Sequence, residues 1–181
     1  MGKSARTLTL IATAVGALVV AGAVAASIGP PRIPATAYTL RAHLDPSQMV
    51  PAPTATVPAG ASARFEGLLA RAPVYTQPPN GRSIKIVWKL AWRLTTSNLT
   101  GPVTRVQVNQ GAKGHAGQKL LTLCSPCTTS LRGSMQVTAA DAKVLLSSGA
   151  YVTARTSANS GGEVRGQIAR VRLDQTPSVK P

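Results

Sequence analysis

Ile84, Ile86, Trp88, Leu90, Trp92 and Leu94 alternate with Lys85, Val87, Lys89, Ala91 and Arg93 over eleven residues. A period of two held that long puts one set of side chains on one face of a β-strand and the other set on the opposite face. No α-helix reproduces it. A strand with so apolar a face must lay it on a second layer, so the chain has to build a sheet around it. Trp88 and Trp92 supply much of the area such a core buries, and are read as core residues rather than ligand-stacking ones.

The same signature recurs on both sides. Tyr38, Leu40, Ala42 and Leu44 alternate with Thr39, Arg41 and His43, and Ala63, Phe65, Gly67 and Leu69 follow after a proline-rich break. Pro73 to Gly81, with Pro78-Pro79-Asn80-Gly81, reads as a loop and turn. Val106 and Val108 alternate with Arg105, Gln107 and Asn109, and Gly111 to Gly117 is a flexible loop. Leu120, Leu121 and Leu123 form another strand, as do Ser134 to Val137 and Tyr151 to Thr156. Val164, Gly166 and Ile168 share a face, and the apolar set then moves to Val171 and Leu173, a shift that a β-bulge would produce.

One helix interrupts the strands near 139–148. Thr138 caps it, Asp141 returns a bond to the cap backbone, and Gly149 closes it as a left-handed residue. The expected fold is therefore mostly β: an antiparallel sandwich or barrel, immunoglobulin-like or Greek-key, with one short helix.

The N-terminus has a separate character. Lys3 and Arg6 precede a charge-free apolar run that lasts until Arg32, and Ala23-Val24-Ala25 offers an Ala-x-Ala exit. Residues 1–26 read as a secretory signal peptide. The alternative is an uncleaved anchor over 8–28, long enough to span a bilayer with the domain outside. No cysteine precedes Cys124, so a lipid-modified N-terminal cysteine is excluded. Residues 27–37 form a proline-rich spacer, 38–173 the domain, and 174–181 a disordered tail.

Cys124 and Cys127, in Cys124-Ser125-Pro126-Cys127, are expected to be oxidised outside the cytoplasm. The following TTSLRGSMQV lacks the helix that a thioredoxin-type pair needs, so a disulfide pinning a turn is favoured over a redox centre.

Twenty Lys and Arg against five Asp and Glu give a net charge of +15, of which a cleaved leader would remove only Lys3 and Arg6. Such a surface suits wall polymers, acidic glycans or anionic lipid. Arg-, Ala- and Pro-rich usage of this kind also follows from a GC-rich genome. The basic residues form no block and aromatics are few, which argues against nucleic acid.

Several segments, in order, resemble the CHRD (chordin) domain, a module also found in exported bacterial proteins. Gln48-Met49-Val50-Pro51 is similar to its early Gln-Glu-Val-Pro-Pro motif, Gly60 to Leu69 to its next strand, and Leu99-Thr100-Gly101-Pro102-Val103-Thr104 to its Leu-Ser/Thr-Gly-Pro-Val-Thr. The Leu-Cys-Ser-Pro-Cys turn has counterparts too. Most specific is Tyr151-Val152 with Gly161-Gly162-Glu163-Val164-Arg165-Gly166-Gln167. The resemblance implies an exported β-rich domain and no particular reaction. Gly161, Gly162, Glu163, Arg165 and Gly166 are read as structural, with Glu163 and Arg165 pairing to neighbouring strands.

Where the family commonly carries His-x-His, this chain has Gln107 and Asn109, and Arg155 stands where another His is common. Alternating neutral imidazoles would suit a transition metal. Their replacement predicts no metal there, and no cofactor is expected. His43 and His115 read as isolated surface residues.

Asp45, Glu66, Asp141, Glu163 and Asp174 form no close pair apart from the family block, and no nucleophile elbow, phosphate loop or His-Glu-x-x-His occurs. The expected function is a non-enzymatic extracytoplasmic binding or adhesion module. The alternatives are a polyanion or cell-wall binder driven by charge, and a thiol–disulfide protein using Cys124 and Cys127. The partner is an anionic envelope polymer or another extracytoplasmic protein, and a membrane only if residues 8–28 are retained.

Overall fold

The computed structural model describes residues 37–76, 81 and 83–172. The expected leader or anchor, the spacer up to 36 and the tail lie outside the described residues.

The long alternating segment is strand β3 (Ser83–Ser97), and it pairs antiparallel with β2 (Ser62–Thr76) from Ser62↔Ser97 to Thr76↔Ser83. β1 (Ala37–Leu44), β6 (Arg132–Val137) and β9 (Ala169–Arg172) complete a five-stranded sheet in the order β6-β3-β2-β1-β9. β4 (Val103–Gln110), β5 (Lys119–Cys124), β7 (Ala150–Thr156) and β8 (Val164–Gln167) form a four-stranded sheet in the order β5-β4-β7-β8. Both are antiparallel, and they do not close into a barrel, so the sandwich form of the expectation holds. Leu40, Leu44, Phe65, Leu69 and Leu90 of one sheet and Val106, Val108, Val152 and Val164 of the other belong to one buried core. Burial of such side chains at about 25 cal/mol per Å² of apolar area is the main driving force.

The β3 pattern holds where the second sheet opposes it. Leu90, Trp92 and Leu94 are buried, and Trp88 is half-buried beside the Tyr38 ring, 6.5 Å between centroids. Ile84 is 58 % exposed. The reason is geometric: the described part of β1 pairs with β2 as far as Ala37↔Ala70, and from Ala72↔Val87 to Thr76↔Ser83 β2 and β3 run on as an arm with no third strand beside them among the described residues. This corrects the loop expected over 73–81. Pro73 to Thr76 are strand, and only the tip (77–80) lies outside the described residues. Among the described residues no strand lies on the other side of β2 at Pro73, which suits a residue that cannot donate to a ladder.

Helix α1 (Ala139–Leu146) starts as expected: the Thr138 hydroxyl accepts from the Asp141 N–H at 3.1 Å. The Asp141 carboxylate returns to the Thr138 hydroxyl at 2.7 Å rather than to the cap backbone. The helix ends earlier than Gly149 would place it. Ser147 is the C-cap and Ser148, at φ 61°, is the left-handed residue. The expected bulge after Ile168 is a larger event. β8 ends at Gln167 and β9 begins at Ala169, so the chain crosses there from the four-stranded to the five-stranded sheet.

Candidate functional site

The outer face of the four-stranded sheet carries Gln107 and Asn109 on β4, Tyr151, Thr153 and Arg155 on β7, and Arg165 and Gln167 on β8. Gln107 lies opposite Thr153 and Asn109 opposite Tyr151, while Arg165 and Gln167 face the same two β7 residues from the other side. Alternation alone would leave this face wet. Instead Gln107, Asn109, Thr153 and Arg165 are buried. Two segments fold over it. Gln167 Nε2 donates to Gly111 O at 3.0 Å and Gly117 N to the Tyr151 hydroxyl at 3.0 Å, which fastens the 111–117 loop. Met49, in the proline-rich stretch after β1, packs against Gly162 and is buried. That stretch is tied down again where Ala55 N donates to Asn159 Oδ1 at 2.9 Å.

The three positions where the family commonly has histidine are thus brought to one face, as Gln107, Asn109 and Arg155. Asn109 Nδ2 donates to Thr153 Oγ1 at 3.2 Å, and Arg155 Nη1 to Ser160 O at 3.2 Å. Among the described residues, no three His, Cys, Asp or Glu side chains gather closely enough to hold a metal ion. His43 and His115 are both exposed, on β1 and in the 111–117 loop.

Glu163 and Arg165, expected to pair with neighbouring strands, take separate partners. The Glu163 side chain is fully buried. Its carboxylate accepts from the Thr100 N–H at 2.6 Å, from the hydroxyls of Thr100 and Thr156, and from Asn159 Nδ2 at 3.4 Å. Burial pushes its pKa up, but these donors outweigh that and hold it below the ordinary glutamate value. A carboxylate so enclosed has its lone pairs taken up by neighbouring donors of the same domain. Thr100, Thr156 and Asn159 were not singled out in the sequence. Thr100 does lie in the Leu-Thr-Gly-Pro-Val-Thr segment.

Arg165 is 1 % exposed. Its guanidinium lies 3.5 Å from the Tyr151 ring centroid, and Nη2 donates to Ala112 O at 2.9 Å. Nη1 is buried with no partner. Burial lowers its pKa, partly offset by Tyr151.

The two motif glycines on either side of Glu163 make close approaches. Gly162 sits at φ 140°, where an L side chain is strained, and a Cβ there would lie 2.3 Å from Met49 Cε. A Cβ on Gly166 would lie 2.3 Å from His43 O, because β8 runs directly against the end of β1.

Cys124 and Cys127 form a disulfide in the turn between β5 and β6. The turn is fixed to β4: Cys127 N donates to Thr104 O at 3.0 Å, and Arg105 Nε to Ser125 Oγ at 3.0 Å. No helix begins after Cys127, since the chain proceeds to β6.

The outer face of the five-stranded sheet is different again. Arg41, Glu66, Arg93 and Arg132 are register partners on β1, β2, β3 and β6, and so form a straight row across the sheet at the strand spacing of about 4.8 Å. Arg64 and Lys89 share the face, with His43 opposite Arg64. All of these side chains are exposed. Sequence alternation marks Arg41, Lys89 and Arg93 as outward-facing, whereas Arg132 precedes the strand expected over Ser134 to Val137, because β6 begins two residues earlier; only the register aligns them. Among the described residues, no helix is long and apolar enough to cross a membrane.

No curated protein and no solved structure matches the chain. The family model described as CHRD domain matches residues 40–168, from the second half of β1 to the end of β8 and through nearly the whole sandwich. That match, with the ordered motifs now placed on their strands, shows that the chain belongs to the CHRD domain family.

Proposed function

We propose that this protein is an exported, non-enzymatic CHRD module that holds an anionic polymer of the cell envelope against the outer face of its five-stranded sheet. The observation that carries this reading is the exposed row Arg41–Glu66–Arg93–Arg132, flanked by Arg64 and Lys89. Five cations with one carboxylate on a flat sheet present regularly spaced charge to a polyanion and bind by electrostatic complementarity. Export rests on the N-terminal pattern of Lys3, Arg6, an apolar run and Ala23-Val24-Ala25. A thiol–disulfide role is the weaker reading, because Cys124 and Cys127 lack the helix N-terminus that lowers a thiol pKa.

Fractionation of the host tests this. The envelope pellet is washed in low and then high salt, and the intact mass of the released protein is measured. The reading expects a chain lacking residues 1–26, released by high salt. A full-length chain that only detergent releases would overturn the leader assignment, and release in low salt would overturn the polymer contact.

A further inference from the structure

The cationic row has neighbours on the outer face of the five-stranded sheet. Two residues along each strand, a step of about 7 Å, the register aligns Val171 on β9, Thr39 on β1, Leu68 on β2 and Ala91 on β3 in a second row. Leu68 is 44 % exposed and Val171 42 %. Ala91 is exposed as well. A depression of about 350 Å³ lies between the two rows, lined in part by Arg41, Arg93, Leu68 and Ala91.

Hydroxyls stand on the other side of the cations. Thr95 lies opposite Arg64 and Ser97 opposite Ser62. Two depressions of about 350 and 440 Å³ adjoin there and share Thr95 and Thr96. The first meets the apolar depression at Glu66 and the second at Arg93. The face is therefore sorted into three parallel bands, apolar, cationic and hydroxyl-bearing. A polymer running across the strands, along the cations, touches all three in every unit.

Glu66 sets Arg41 and Arg93 two strand spacings apart, about 10 Å. A densely charged chain such as polyphosphate would set an anion against Glu66, which is repulsive. Such a chain also has no apolar surface for Leu68 and Val171. Nucleic-acid bases stack on aromatic rings, and the apolar row has none. A uronic acid unit matches all three bands. Its ring has a C–H face, its edge carries hydroxyls, and its carboxylate accepts the two parallel N–H bonds of an arginine fork. Resting on the assignment of the polymer to this face, we infer that the polymer is an acidic polysaccharide lying across the strands. Its carboxylates sit on Arg41, Arg93 and Arg132, its ring C–H faces on Leu68 and Ala91, and its hydroxyls toward Glu66, Thr95 and Ser97.

The test is calorimetric titration of the full chain, at one ionic strength, with polygalacturonate, its fully methyl-esterified form and polyphosphate of equal net charge. Polygalacturonate should bind more tightly than polyphosphate, and the neutral ester not at all. Leu68→Ser should weaken polygalacturonate binding about fivefold and polyphosphate binding by less than about twofold. Val171→Ser carries the same comparison if Leu68→Ser loses the native circular dichroism. Arg93→Glu should weaken both polyanions about tenfold or more. Polyphosphate binding as tightly as polygalacturonate, or polygalacturonate binding unchanged by the apolar-row variant, would overturn the polysaccharide and leave the face as the site, provided that Arg93→Glu still weakens both. Binding that survives Arg93→Glu, or equal binding of the neutral ester, would overturn the face itself.

Discussion

Asp45 and Arg165 join the two sheets through a pair of backbone hydrogen bonds, Asp45 N to Arg165 O at 3.0 Å and Arg165 N to Asp45 O at 3.2 Å. One residue ends the first strand and the other sits in the last strand of the opposite sheet, so this corner closes the sandwich between distant parts of the chain. It also explains why Gly166 belongs to the family block. The two backbones meet closely enough that the next residue has no room for a Cβ.

Gly166→Ala should therefore destabilise the domain by about 2 kcal/mol or more, since the clash is with the backbone at His43 and neither strand can move without breaking the Asp45–Arg165 bridge. Gly161 has open space around it and no positive φ. Gly161→Ala should stay within about 0.5 kcal/mol of the parent. Urea unfolding followed by tryptophan fluorescence compares the two. Equal losses would show that the corner is not the constraint.

Glu163→Gln should cost about 2 kcal/mol at neutral pH, because Thr100, Thr156 and Asn159 then donate to a neutral amide and one of the two acceptor oxygens becomes a donor. The pH dependence follows from the lowered pKa of the folded state. The unfolded chain takes up its proton first as pH falls, so the Glu163 contribution is complete above the ordinary glutamate pKa and is lost as pH drops through the folded value. Denaturation midpoints measured from pH 7 down to pH 3 should fall less steeply in the variant. They should not become flat, because Asp45 is shifted in the same direction: burial raises its pKa, and the hydrogen bonds from Ser47 and Gln48 outweigh that.

Replacing Cys124 and Cys127 together by serine should lower stability by no more than about 2 kcal/mol, since the disulfide closes a loop between residues only three apart in sequence. Binding to an anionic matrix should be unchanged. A loss of binding with the fold intact would return the pair to the functional account.

The sequence disclosed the strands and missed what covers them. The β3 alternation, the Thr138 cap and the order of family motifs were all local patterns, and all three appear in the fold. The β2–β3 arm was hidden by Pro73, whose place in a strand depends on which side of β2 is paired there, a tertiary fact. The burial of Gln107, Asn109 and Thr153 was not legible, because alternation identifies a face but not whether a loop lies over it. Glu163 could be named from its motif. Its partners Thr100, Thr156 and Asn159 could not, because the Thr100 segment meets the β7–β8 turn only in three dimensions. Arg41 and Arg93 of the cationic row were legible from alternation, Arg132 was not because its strand was expected to begin at Ser134, and the row itself was invisible until the strand register was known.

The central claim is that the five-stranded face, and not net charge alone, holds the anionic partner. The most direct measurement is the salt concentration that elutes the protein from heparin, a model polyanion. Arg93→Glu/Arg132→Glu is compared with Lys119→Glu/Lys143→Glu, an equal charge reversal at exposed positions away from that face. The account predicts a large drop in eluting salt for the first pair and a small one for the second. Equal drops would mean that binding follows net charge and that the sheet face has no special role.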